Sequence, residues 1–156
     1  MMAKTTAMFG DRRGAASVEL ALVIPIILLL IGGVAEFAYA IWTRNVLATA
    51  VAQGGRYAML AGANATSSNV RAVVRNSTQL AIPEQAVSVS APTCFCVVAG
   101  RPPTLAPEQC KKTCADGRVA GTYISISASH TYSPIMGKLS PFGSRTFVEP
   151  AQVRID

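Results

Sequence analysis

A run without charge from Leu20 to Ala35 constrains this chain more than any other feature of its sequence. If Glu36 is tolerated, the apolar stretch continues to Trp42. As a helix, those 23 residues would reach roughly 35 Å, against a hydrocarbon layer of about 30 Å. The segment is therefore long enough to cross a membrane once. It is bracketed by two carboxylates, Glu19 at its start and Glu36 near its far end. Ionisable groups in such a segment are costly and mark functional positions by default.

Composition supports a membrane segment beside one small domain. The chain has 156 residues, 51% of them hydrophobic, and a mean hydropathy of +0.37. Ahead of the run stand Lys4, Arg12 and Arg13 against Asp11. This positive bias on a short flank places the N-terminus in the cytoplasm and the remainder outside. The net charge of +6 is spread over single residues with no dense basic stripe or interleaved aromatics, so nucleic acid is not expected as a partner. Cys94, Cys96, Cys110 and Cys114 all follow the run. In an oxidising compartment an even set reads as two disulfides, with three connectivities open. Zinc is the competing reading, but the paired C-x2-C knuckles usual in zinc ribbons are missing.

The helical pattern does not end at Trp42. Val46, Leu47, Ala50, Val51, Gly54, Tyr57, Ala58 and Ala61 recur at helical spacing, with Arg44, Asn45, Gln53 and Arg56 mostly on other faces, which predicts one helix ending near Gly62. Pro25 removes a hydrogen bond to the Ala21 carbonyl and is expected to bend it. Gly54-Gly55 reads as a weak point, at about 1 kcal/mol per glycine relative to alanine. After the small polar link "AGANATSS", a second helix is predicted over Asn69–Ala81, with Pro83 as its stop. The period then shortens. "AVSVSAP", "TCFCVVAG", "TYISISASHTYSP" and "RTFVEPAQVRID" predict about four strands, so the fold class is α+β with an antiparallel sheet. Cys94 and Cys96 share a strand face; Cys110 and Cys114 would share a face if "PEQCKKTCADG" were helical. Cross-pairing between the two sets would then staple the loop "AGRPPTLAPEQ", each closure being worth about 3 kcal/mol.

Three processing signals compete at the N-terminus. A secretory signal would be cut after Ala38-Tyr39-Ala40, releasing a soluble disulfide-containing binding module that begins at Ile41. Arg12-Arg13 could mark a twin-arginine signal. In the third reading a leader, residues 1–14, is removed on the cytoplasmic side after Gly14, making Ala15 the first residue and Glu19 the fifth. The stretch from Arg12 to Gly62 resembles the N-terminus of TadE-like minor pseudopilins of the tight-adherence (Tad/Flp, type IVc) pilus system. The likeness rests on a glycine before the cut, a glutamate five residues on, an early proline, a second glutamate near the outer end and an arginine further along the helix. Here those positions are Gly14, Glu19, Pro25, Glu36 and Arg56. Weaker likenesses appear in "GTYISISASHTYSPIMG" and in the terminal "RID". Ala15 stands where major type IV pilins carry phenylalanine, which suits a minor component.

The resemblance implies three parts: a cleaved leader at 1–14, a transmembrane and extended helix at 15–62, and an extracytoplasmic α+β domain at 63–156. It implies a single-pass inner-membrane protein that takes part in assembling or initiating a pilus for surface adherence. Its partners would be a prepilin peptidase, other pilins and pseudopilins, the inner-membrane assembly platform and membrane lipid. Cleavage leaves an amine at the membrane rim that Glu19 of a neighbour could approach. At 4 Å and an effective dielectric near 20 the attraction is roughly 4 kcal/mol before desolvation is subtracted. On the residues alone, Glu19 reads equally well as a group resting among headgroups. Glu36 likewise has two readings, an assembly role or snorkelling to the interface beside Phe37, Tyr39 and Trp42. His130 is a lone histidine on a predicted strand. No nucleophile elbow, phosphate loop or H-E-x-x-H motif is present, so neither an enzyme nor a cofactor is expected.

Overall fold

The computed structural model describes residues 13–140 and 142–156, apart from the side chains of Arg13, Ala15 and Ala16. The leader expected at 1–14 lies, up to residue 12, outside the described residues. The first helix, α1, is a single element of 49 residues, Arg13–Ala61, with Pro25 inside it. At 1.5 Å per residue it is about 73 Å long. Its two halves have different surroundings. From Val18 to Val34 the apolar side chains are exposed all round, Leu22 at 70%, as a helix facing hydrocarbon requires. Among the described residues this is the one helix long and apolar enough to cross a membrane.

Beyond Trp42 one stripe of α1 turns into a core. Leu47, Ala50, Val51 and Ala58 are buried, at the spacing the sequence predicts, while Arg44, Asn45 and Arg56 stay exposed. Gly62, with φ +53°, ends the helix in a conformation that costs a residue with a side chain more than it costs glycine. The second helix, α2, runs Ser67–Asn76 and is capped at its start by Thr66, whose hydroxyl accepts from the Asn69 amide. It is shorter than the predicted 69–81. The Ser77 hydroxyl bonds back to the Val73 carbonyl, and Arg75 donates to the Ile82 carbonyl. Ile82 thereby joins the core from irregular backbone.

Five strands follow: β1 Val87–Val89, β2 Thr93–Val98, β3 Thr104–Pro107, β4 Gly121–Tyr132 and β5 Arg145–Arg154. β4 is the spine of the sheet. On one side β5 pairs with its length, from Tyr123↔Arg154 to Tyr132↔Arg145. On the other side β2 and β1 lie end to end, at Thr93↔Tyr123 and Val87↔Ala128, and β3 adds to the outside of β2. All pairings are antiparallel, and the α+β class stands. The alternation in "ISISASHTY" puts buried Ile124, Ile126, Ala128 and Tyr132 on one face and Ser125, Ser127, Ser129 and Thr131 on the other. The apolar face packs on α1, and α2 closes the core through Val70 and Val74.

Two local expectations are corrected. The stretch read as a stapled loop contains β3, because the bridges and the β2 edge order it despite its prolines. "PEQCKKTCADG" is not helical: Lys111 has φ +68°, and Thr113 bridges to Val119 across a turn.

Candidate functional site

Glu36 points inward from α1 rather than out to lipid or water. It is 1% exposed, which excludes snorkelling. Its carboxylate accepts hydrogen bonds from the Tyr132 hydroxyl, from the Ile135 amide at 2.9 Å and from the Met136 amide at 3.1 Å. β4 delivers Tyr132 at its last position, and the chain then turns so that two successive backbone N–H groups face one carboxylate. Such a cradle satisfies a buried anion without a cationic partner. Burial pushes the Tyr132 phenol up to about 12, helped by its bond to Glu36 and that residue's charge. It therefore stays protonated and remains a donor at physiological pH. Tyr132 packs on Tyr39 and Phe147, with ring centroids 5.5 and 6.1 Å away. One turn further along α1, buried Thr43 donates to the Tyr39 carbonyl at 2.8 Å. Next, Arg44 pairs with Glu149 of β5 at 2.6 Å. The outer end of the apolar run is thus clasped by the ends of β4 and β5.

The other positions singled out in the sequence are not gathered with Glu36. Gly14 sits in the first turn of α1, where its carbonyl accepts from the Ser17 hydroxyl at 2.9 Å. A Cβ added there would meet nothing within 4 Å among the described residues. Glu19 is exposed, with no ion-pair partner among the described residues. Pro25 is carried inside the helix, and Arg56 lies exposed beside the core stripe. Gly14, Glu19 and Pro25 therefore present themselves outward, whereas Glu36 is consumed within the chain. Sequence reasoning found Glu36 but not its partners. The available signal was Tyr132 ending an alternating strand just before "SPIMG", where Pro134 forces a turn.

The cysteines pair across the two sets, Cys94 with Cys110 and Cys96 with Cys114, with Cα atoms 5.1 and 5.6 Å apart. All four are used, so no thiolate remains for a metal. His130 lies in β4 opposite Phe147, and the described residues contain no cluster of metal-ligating side chains around it. Alkylation of the unfolded, unreduced protein should label no cysteine. Reduction should remove about 3 kcal/mol per closed loop and open the bonds after Lys111 and Lys112 to trypsin before the rest of the domain. Unchanged cleavage after reduction would mean that strand pairing alone holds this tip.

No curated protein and no solved structure matches the chain. A family model described as TadE-like protein matches residues 14–56, which spans Gly14, both carboxylates, Pro25 and Arg56. Over this segment of α1 the chain is similar to the TadE-like protein family.

Proposed function

We propose that the chain is a minor pseudopilin, cut by a prepilin peptidase between Gly14 and Ala15, that helps to assemble or initiate a Tad/Flp pilus. Similarity to the TadE-like family over residues 14–56 supports a place in the Tad pilus system, and the length and apolar surface of α1 support a membrane anchor. The finer role is carried by one observation: the family match begins at Gly14, a glycine for which the described chain has no packing use. A residue not required by its own fold is available to an enzyme that needs close access to the backbone. Exposed Glu19 supports the same reading, since among the described residues its carboxylate has no ion pair and can meet a neighbouring subunit's new N-terminus. Partners would be the peptidase, other pilins and pseudopilins, and the assembly platform, with the folded domain outside the cytoplasmic membrane.

The Glu36 cradle weighs against release of a soluble module after Ala40. That cut would remove the carboxylate on which Tyr132 and the 135–136 amides converge. It would also sever a continuous helix.

Gly14→Val is expected to accumulate uncut, because a branched side chain obstructs the backbone at the scissile bond. Glu19→Ala should be processed but fail to assemble, and Glu19→Asp should be impaired as well, since pairing depends on reach. Mass spectrometry of the membrane fraction reads the N-terminus, and pilus counts read assembly. A mature chain beginning at Ile41 would overturn the proposal. Normal pili from both Glu19 variants would reduce that residue to a rim group.

A further inference from the structure

We propose that residues 133–140 form a second membrane contact: an apolar, non-helical wedge lying beside α1 in the leaflet nearer the folded domain, with lipid acyl chains as its partner. The inference rests on the membrane anchoring of α1.

Depth is the first argument. With Glu19 at one rim, about 30 Å of hydrocarbon takes up about twenty residues of helix and reaches the neighbourhood of Tyr39. The segment seats below that level. Its Met136 side chain lies on Gly32, where an added Cβ would come within 2.7 Å of the sulfur. The amides of Ile135 and Met136 bond to Glu36. Just beyond the segment, Phe142 lies on Phe37 with ring centroids 5.9 Å apart.

The second argument is the surface. Ile135 is 67% exposed and Leu139 74%, as bare as the leucines of the span. Scattered exposed apolar residues need no explanation. These two, however, flank Met136, which sits on Gly32 inside the span, so they stand at the depth of the exposed face of α1. Lys138 between them can send its charged end outward along its stem. Tyr39 and Trp42, stacked 5.7 Å apart, mark the interface just above.

The backbone supplies the third argument. Non-helical chain survives at membrane depth only when its polar groups are satisfied internally. Here Ile135 and Met136 donate to Glu36, Gly137 donates to Pro134, Leu139 to Met136 and Ser140 to Gly137, while Pro134 has no N–H to satisfy. Most of the segment's N–H groups are bonded in this way, which lowers the cost of placing it among acyl chains. In this light Glu36 is a positioning residue that makes the wedge soluble in lipid.

Tryptophan fluorescence of the full chain in phosphatidylcholine vesicles tests this. Trp42 is the sole tryptophan, so Trp42→Phe provides a blank background for Leu139→Trp, for Ile135→Trp as an independent repeat, for Leu30→Trp inside the span and for Val98→Trp on β2. Leu139→Trp and Ile135→Trp should emit to the blue of Val98→Trp and lose intensity in vesicles whose acyl chains are brominated near the headgroup. Emission like that of Val98→Trp would overturn the proposal. So would a blue shift without bromine quenching, because protein and not lipid would then cover the wedge. Quenching of Leu30→Trp alone leaves membrane anchoring intact and sinks the wedge. Absence of quenching at Leu30→Trp in vesicles brominated near the acyl-chain ends, which reach the middle of the span, removes the anchoring and the wedge together.

Discussion

Replacing Glu36 with alanine is expected to free the turn after β4 and lower the unfolding midpoint of the folded domain on the order of 10 °C, since one buried and two part-buried donors lose their acceptor. The donors are the Tyr132 hydroxyl and the amides of Ile135 and Met136. Bonds to an ionised acceptor are about twice as strong as neutral ones. Leaving the buried Tyr132 hydroxyl unpaired adds its desolvation cost. Glu36→Gln should fall between wild type and alanine: one oxygen still accepts, but an NH2 group replaces the other and confronts an N–H. Tyr132→Phe should be milder, because both amides keep their acceptor.

Alkaline titration provides an independent readout of the same cluster. The Tyr132 phenol is raised from 10.0 to about 12, so the folded state holds this proton more tightly than the unfolded chain does. Its stabilising contribution is complete below pH 10 and is lost as pH rises through 12. Ultraviolet absorbance should show a late tyrosine ionisation that is missing in Tyr132→Phe. Circular dichroism in detergent follows the midpoints, and tryptic cleavage at Lys138 reports release of the turn. An unchanged midpoint with Lys138 still protected in Glu36→Ala would show that the carboxylate does not hold this turn.

The second large effect is expected at Gly54. The Val74 side chain of α2 lies where a Cβ would stand, and at neighbouring Gly55 a Cβ would come within 2.9 Å of the Val153 Cγ1 of β5. Gly54→Val should therefore destabilise by about 1–3 kcal/mol or more, because neither α2 nor the core can yield without disturbing Val70 and Val74. Helix propensity acts the other way, favouring alanine over glycine by about 1 kcal/mol. The decisive comparison is thus with Gly33, where an added Cβ meets nothing within 4 Å. Gly33→Ala should be neutral or stabilising, and Gly54→Ala destabilising. If both alanine variants stabilise, the glycine pair is only a weak point in the helix.

Patterns carried along one element were legible from sequence, because their cause is local. The uncharged run, the stripe from Leu47 to Ala58 and the alternation in β4 each express a single periodicity set by backbone geometry. The cross-pairing expected of the cysteine sets agrees with the structure, although the helical turn that would put Cys110 and Cys114 on one face is absent. β3 was hidden because its prolines argue against a strand, and only the β2 edge and the two bridges select that conformation. The length of α2 was overstated because Leu80 and Ile82 keep apolar character after the backbone leaves the helix. Gly54 carried opposite meanings in the two views: propensity sees a defect, while packing sees the gap into which α2 fits. Glu36 shows the division most clearly. The sequence by itself determined that a carboxylate stands near the outer end of a membrane-length helix and that something must compensate it. Only the tertiary structure decided that Tyr132 and two amides nearly a hundred positions away do so, because they reach Glu36 only after β4 has packed along α1 and turned at its end.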